Sequence, residues 1–201
     1  MVSKHYWSLL KFYSGRNSFD EFLNEICDQF SVKFEPVSEG QPEPEQQTLI
    51  IGNHRSILDP IILLKHVRSK GLIKGHGISK PKWYARLFWF FVDRDNDDIQ
   101  MSYLGDSGVF RKWIRGLREG RNVLFFPEGT RNLSDEPILP FQPGAEKLIE
   151  AAKPNLLIYH IPYSNKALES GAFEKPVRYK YFRFEDINED VECLYRKTFD
   201  L

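Results

Sequence analysis

The tightest constraint on how this chain can fold is the junction at residues 48–64. There the apolar run Leu49-Ile50-Ile51 gives way to Asn53-His54-Arg55-Ser56-Ile57-Leu58-Asp59-Pro60 and then to Ile61-Ile62-Leu63-Leu64. Thr48 to Gly52 reads as a short buried strand, and Pro60, with a fixed φ and no N–H, fits only in the first turn of a following helix. Strand, turn and helix in that order put His54 at a strand's carboxyl end, where open α/β sheets place their ligands. The same residues have a plain structural reading, with Asp59 as N-cap, Pro60 at N1 and Ser56-x-x-Asp59 as a capping box with Asp in the Glu position. They also have a chemical one. An imidazole held by a carboxylate through one ring nitrogen keeps the other free to take a proton from a hydroxyl.

Away from this junction the chain alternates between helical and strand periods. Ser18-x-x-Glu21 opens a helix with Phe19, Phe22, Leu23, Ile26 and Phe30 at helical spacing. Residues 35–47 hold three prolines among Glu and Gln and read as a linker or loop. A helix over 60–68 leads to a strand within Gly71–Ser79, and Pro81 begins the most aromatic segment, Lys82–Val92, read as a short helix running into a buried strand. Residues 106–120 predict a helix with Phe110, Trp113, Ile114 and Leu117 on one stripe and Arg111, Arg115 and Arg118 on another. Then come a strand at Asn122–Phe126, the turn Pro127-Glu128-Gly129-Thr130-Arg131, a helix at 145–152, a strand at Leu156–Ile161 stopped by Pro162, a strand at Val177–Phe184 and a helix at 186–198. This alternation predicts an α/β fold with a mixed, largely parallel central sheet flanked by helices.

With 201 residues, 41% of them hydrophobic, the chain suffices for one substantial core. We read it as one domain over 1–201, with an N-terminal helical segment at 1–34, the linker or loop at 35–47 and the core at 48–201. Lys plus Arg and Asp plus Glu both number 28, so the molecule offers no bulk attraction to nucleic acid. Cys27 and Cys193 stand far apart without a C-x-x-C partner, which points away from a disulfide framework or structural zinc and towards a reducing, cytoplasmic setting. The first residues lack a signal peptide's apolar core, and no run approaches the roughly 18 apolar residues of a membrane span. His5, His66, His76 and His160 lack metal-ligand spacing, and we expect no bound metal.

Three strand ends carry polar clusters: Asn53–Asp59, Asp93-Arg94 and Pro127–Arg131. Parallel neighbours bring such ends to one edge of a sheet, joining a base and its carboxylate to arginines that grip phosphate and a glycine turn that admits an anion. Asn53-His54-Arg55-Ser56-x-x-Asp59, Phe91-Val92-Asp93-Arg94, Phe126-Pro127-Glu128-Gly129-Thr130-Arg131 and Ile161-Pro162 resemble, in order and spacing over about residues 48–165, the four blocks of the glycerolipid (lysophosphatidic acid) acyltransferases.

That resemblance implies transfer of a fatty acyl group from a thioester, on coenzyme A or acyl carrier protein, to the hydroxyl of a lysophospholipid, with no tightly bound cofactor. His54 would be the general base and Asp59 its orienting partner; Arg94, Glu128, Gly129, Thr130 and Arg131 would bind the acceptor. Arg94 and Arg131 suit a phosphate, whereas Glu128 suits a glycerol hydroxyl or an arginine. The chain departs from the family pattern at Phe88, where a glycine is common, and at Gln142 of Phe141-Gln142-Pro143-Gly144, where a lysine is common. One cation fewer opens the alternative of a less anionic acceptor, or a non-glycerophosphate hydroxy or amino lipid.

Attachment to a membrane would be peripheral, on its cytoplasmic side, through Trp7–Tyr13 or Trp83–Phe91. Two other classes compete. Gly105-Asp106-Ser107-Gly108 reproduces a serine-protease nucleophile tetrad, although Ser107 also fits a helix N-cap turn. The basic and aromatic segments Lys80–Trp89 and Val177–Phe184 would suit a noncatalytic membrane or nucleic-acid binder.

Overall fold

A computed structural model describes residues 14, 18–39, 44–45, 47–72, 75–79, 99–103, 108–162 and 175–201, with 75–79 and 99–103 described by their backbone alone. Helix α1 (Phe19–Gln29) starts where Ser18 Oγ accepts the Glu21 N–H at 3.1 Å, the N-cap expected of S-x-x-E. Its stripe of Phe19, Phe22, Leu23, Ile26 and Cys27 is buried, so helical spacing has become one packed face. Burial pushes the Cys27 thiol up to about 12, leaving it a small hydrophobic group rather than a nucleophile.

The sheet comprises β1 (Phe34–Pro36), β2 (Thr48–Gly52), β3 (Gly75–Ser79), β4 (Ile99–Tyr103), β5 (Asn122–Phe125), β6 (Asn155–His160) and β7 (Val177–Phe182). Its order is β1-β7-β6-β2-β5-β3-β4, and every neighbouring pair is parallel except β6–β7. The expected mixed, largely parallel sheet is therefore observed. Between the strands run α2 (Asp59–Ser69), α3 (Val109–Arg118) and α4 (Gly144–Ala152); a single 3-10 turn (Phe184–Asp186) and α5 (Val191–Phe199) follow β7.

Strand periodicity sorts the core into two layers. Ile50, Leu124, Leu157, Tyr159, Val177, Tyr179 and Tyr181 face α1 and α2. Leu49, Ile51, Val123, Phe125, Leu156 and Ile158 face α3, α4 and α5. Each fully buried aliphatic side chain contributes about 1.5–3 kcal/mol relative to exposure. His66 is a polar member of the first layer: Nδ1 lies 2.8 Å from the Tyr159 hydroxyl and its ring stacks on Phe34 at 4.3 Å. Burial, then the nearby Lys70 charge, hold its imidazole down to about 4, so it is a neutral core residue.

Three local readings change. Residues 35–36 belong to an edge strand, registered Phe34↔Val177 to Pro36↔Tyr179, although their composition suggested a loop. Proline is tolerated there because β1 is a sheet edge, where one side of the backbone needs no ladder partner. The strand β4 was not anticipated at all. Helix α2 begins at Asp59 itself with Leu58 as its N-cap, because the Asp59 side chain is turned back into the preceding loop. Trp7–Tyr13 and the aromatic segment 82–92 lie outside the described residues. Among those described, no helix is long and apolar enough to cross a membrane.

Candidate active site

Strands β6, β2 and β5 are adjacent and parallel, so their carboxyl ends share one edge of the sheet. Asn53, the first residue beyond β2, ties two of these ends together. Its Nδ2 donates to the Ile161 carbonyl at 2.9 Å and its Oδ1 accepts the Ile161 N–H at 2.7 Å, so a side chain continues the β2–β6 ladder past the last strand residue. Tyr195 of α5 donates its hydroxyl to the Tyr159 carbonyl at 2.6 Å and stands 3.2 Å from Asn53 Oδ1. Both Asn53 and Tyr195 are fully buried. His54 therefore follows an anchored residue.

The loop from Asn53 to Leu58 closes around the Asp59 carboxylate, which is wholly buried. Oδ2 accepts the Arg55 N–H at 2.5 Å and the Ser56 N–H at 2.7 Å and lies 2.9 Å from His54 Nδ1; Oδ1 accepts the Ser56 hydroxyl at 2.9 Å. Ser56 Oγ in turn accepts the Leu58 N–H at 3.0 Å. Asp59 is not the N-cap of α2, a place Leu58 takes, but its carboxylate has two sets of partners. It organises the turn ahead of α2, as the acidic member of a capping box does, and it holds the imidazole. Since the carboxylate accepts at Nδ1, that nitrogen carries the proton, and Nε2 is the acceptor. The His54 side chain remains 22% exposed against 0% for Asp59, so the imidazole can be reached while the carboxylate is sheltered.

The turn after β5 holds His54 from the other side. The His54 ring stacks on Phe126 at 4.3 Å and 18°. Glu128 Oε1 accepts the His54 N–H at 2.6 Å, its Oε2 accepts the Leu139 N–H at 2.8 Å, and the Asn132 N–H donates to the His54 carbonyl at 2.6 Å. Glu128, expected to hold a glycerol hydroxyl or an arginine, thus has both oxygens on main-chain donors and is 3% exposed. Burial pushes its carboxyl up, opposed by the two N–H groups and by the charges of His54 and Arg55.

Gly129 lies at φ 67°, and a Cβ there would meet Gln142 Cγ at 3.2 Å. Only glycine sits in that conformation without strain. Gln142 is exposed above this turn, its N–H donating to the Pro127 carbonyl at 2.8 Å. Thr130 is exposed and Arg131 half-buried at the same rim.

The clusters around His54 and Arg131 thus meet at one edge as expected. Arg94, with Asp93, lies outside the described residues, as does Ser107. Among the described residues, no group of three or more His, Cys, Asp or Glu side chains could hold a metal ion. Two contributors escaped the sequence reading. Arg55 donates Nη1 to the carbonyls of Ser134 at 3.2 Å and Glu136 at 2.8 Å, drawing the 132–136 loop against the dyad. Buried Asn132 orders that loop, its Oδ1 accepting the Ser134 N–H at 3.0 Å and its Nδ2 donating to the Glu136 carbonyl at 2.8 Å. Asn-x-Ser is an Asx-turn signal, legible in the sequence once a turn is suspected there. His160, at the end of β6, is held down to about 4 by burial and then by the charges of Arg178 and Arg55. It sits 3.4 Å from the Tyr195 hydroxyl and 5.3 Å ring to ring from Phe199, and it completes the wall behind Asn53.

A family model described as acyltransferase matches residues 32–164, a span that takes in His54, Asp59 and the whole Phe126–Arg131 turn. Over 152 residues the chain is 25% identical to a human protein named 1-acyl-sn-glycerol-3-phosphate acyltransferase beta, covering 72% of this chain and 52% of that one. Over 157 residues it is 29% identical to a Mycoplasma pneumoniae protein named probable 1-acyl-sn-glycerol-3-phosphate acyltransferase, covering 73% and 56%. It spans about half the length of these curated relatives. Its fold is similar to the crystal structure of the 1-acyl-sn-glycerophosphate (LPA) acyltransferase, PlsC, from Thermotoga maritima, with a TM-score of 0.54 at 16% identity over 98% of this chain and 85% of that chain.

Proposed function

Because this chain belongs to the acyltransferase family, we propose that it moves a fatty acyl group from an acyl thioester to the hydroxyl of a lysophospholipid of the 1-acylglycerol-3-phosphate kind, a step of phospholipid assembly. The observation that carries this reading is the pairing of His54 Nδ1 with the fully buried Asp59 carboxylate at 2.9 Å, beside a turn that exposes Thr130 and half-exposes Arg131.

Nε2 of His54 takes the proton of the acceptor hydroxyl as its oxygen attacks the thioester carbonyl. The imidazolium so formed is stabilised by Asp59, whose other hydrogen bonds hold it fixed as charge develops. The tetrahedral intermediate then collapses, the C–S bond breaks and His54 returns the proton to the departing sulfur. One ester is formed and one thiol released, with no acyl-enzyme. Arg131, with Arg94, grips the acceptor phosphate, for which a guanidinium offers a paired donor fork. The donor is acyl-coenzyme A or acyl-acyl carrier protein, and the protein works peripherally at the cytoplasmic face of a membrane, where both substrates present their apolar parts.

Gln142 favours a second reading of the acceptor. The side chain whose Cγ stands beside Gly129 ends in a neutral amide rather than a cation, and that suits a less anionic lysolipid or a non-glycerophosphate hydroxy or amino lipid. A panel of lysolipids with both thioester donors, read by mass spectrometry, tests the assignment. A diacyl product from a lysophosphatidate-type acceptor supports it; acylation confined to a phosphate-free lipid selects the second reading; no product from any pair sinks both.

A further inference from the structure

We infer that Glu128 is a positioning residue for the base, acting through the main chain of His54 rather than by touching the acceptor. Three contacts from a single turn converge on His54: Glu128 takes its N–H at 2.6 Å, Asn132 gives an N–H to its carbonyl at 2.6 Å, and Phe126 stacks on its ring at 4.3 Å. Both main-chain groups of His54 are thereby spent on the 126–132 turn, which leaves the backbone little freedom beneath the imidazole. The second oxygen of Glu128 takes the Leu139 N–H at 2.8 Å, so this carboxylate spans two loops and fixes the distance between them.

An acceptor-binding carboxylate should be reachable. At 3% exposure, with each oxygen on a main-chain donor, Glu128 is buried among protein groups, and a phosphate brought against it would meet like charge. Asp59 and Glu128 thus divide the work. Asp59 sets the ring through Nδ1, and Glu128 sets the backbone from which the ring projects. The acceptor is left to the exposed side of the turn, Thr130 and Arg131.

The kinetic part of the test rests on the acyl-transfer reading; the spectroscopic part does not. Glu128→Gln keeps an oxygen for one of the two N–H groups and sets an NH2 against the other. Glu128→Asp keeps the charge but is one methylene too short to span both. Either variant lowers kcat about 10- to 100-fold, as a displacement of the order of 1 Å does. The acceptor KM stays within about twofold of wild type. Adding Glu128→Gln to His54→Ala leaves acceptor binding as it is in His54→Ala alone. In protein carrying 15N-labelled histidine, the Nδ1 proton signal of His54 shifts or broadens in both variants without any substrate.

A raised acceptor KM with kcat preserved, or a His54 signal identical to wild type, overturns the inference. So does failure of both variants to fold, which would make Glu128 a purely architectural carboxylate. If wild type transfers no acyl group to any acceptor, the imidazole signal still decides the role of Glu128, and the reaction assigned above is what has failed.

Discussion

Replacing Asp59 by Asn separates the two jobs of this carboxylate, and the structure sets the size of each effect. Oδ2 is within reach of three donors, the N–H groups of Arg55 and Ser56 and Nδ1 of His54, while Oδ1 takes the Ser56 hydroxyl. An asparagine therefore settles one way round. Its carbonyl oxygen replaces Oδ2 and its NH2 points at Ser56 Oγ, because the reverse would aim two more hydrogens at three donors. The loop survives, but three charge-assisted hydrogen bonds become neutral ones. Each weakens by about 1 kcal/mol, part of which is returned because a charge is no longer buried, so stability falls by no more than about 3 kcal/mol. Asp59→Ala instead strands the buried N–H and hydroxyl of Ser56 and the part-buried donors of His54 and Arg55, the buried ones at about 1–3 kcal/mol apiece. In a serine-protease triad the same Asp-to-Asn substitution leaves the imidazole in the wrong tautomer and costs about ten-thousandfold in kcat; here the asparagine carbonyl keeps the tautomer, so only the charge that steadies the imidazolium is lost, on the order of a hundredfold, or about 3 kcal/mol. The assay is thiol release from acyl-coenzyme A with a lysophosphatidate-type acceptor, run beside urea unfolding of the same samples. We expect Asp59→Asn to fold with a modestly lower midpoint and to lose about a hundredfold in turnover. Turnover within about threefold of wild type would refute the reasoning and reduce Asp59 to a tie for the loop.

Further outcomes follow from the surroundings of the site. Asn53→Ala removes both bonds to the Ile161 main chain and costs about 2–4 kcal/mol in urea unfolding; Tyr195→Phe, which removes the short hydroxyl bond to the Tyr159 carbonyl and the longer approaches to Asn53 Oδ1 and His160 Nδ1, costs about 1–2 kcal/mol. A larger loss from Tyr195→Phe than from Asn53→Ala would contradict this ranking. Arg131→Ala raises the KM for a phosphate-bearing acceptor with kcat less affected, and an unchanged KM would remove Arg131 from the acceptor site. His66 and His160 are both held down to about 4, below the ordinary 6.5, so the unfolded chain takes protons first and stability falls as pH drops from about 6.5 towards 4. Each contributes about 2 kcal/mol of loss between pH 7 and 5. The raised Glu128 carboxyl acts in the opposite sense, binding its proton first in the folded state. His66→Gln should flatten the fall of the urea midpoint over that range, and an unaltered slope would show that His66 is charged in the fold.

Much of this was legible because the centre of the sheet is written in apolar runs. Leu49-Ile50-Ile51 and Leu156-Leu157-Ile158 are buried on both faces, so no polar alternation hides them. The two strands whose pattern misled or gave no signal, β1 and β4, are the two edges of the sheet. An edge strand is defined by the neighbour it pairs with, and Phe34-Glu35-Pro36 is too short and too polar to announce itself without β7. The dyad was readable for a similar reason, since His54 and Asp59 lie on one local turn. The placement of Glu128 was not, because its partners, the N–H groups of His54 and Leu139, are main-chain atoms 74 and 11 residues away that no side-chain pattern encodes. Asp59 illustrates a limit of the capping rules. Residue types located the helix start correctly, but which way the carboxylate faces depended on three donors in the loop behind it.

The central claim is that His54 takes the acceptor proton. The most direct measurement is the mass-spectrometric yield of acylated lysophospholipid from wild type and His54→Ala at equal folded concentration, with the acceptor affinity of each measured in parallel. We predict product from wild type, a loss of at least about a thousandfold in His54→Ala and unchanged acceptor binding. Turnover by His54→Ala at the wild-type rate would contradict the mechanism.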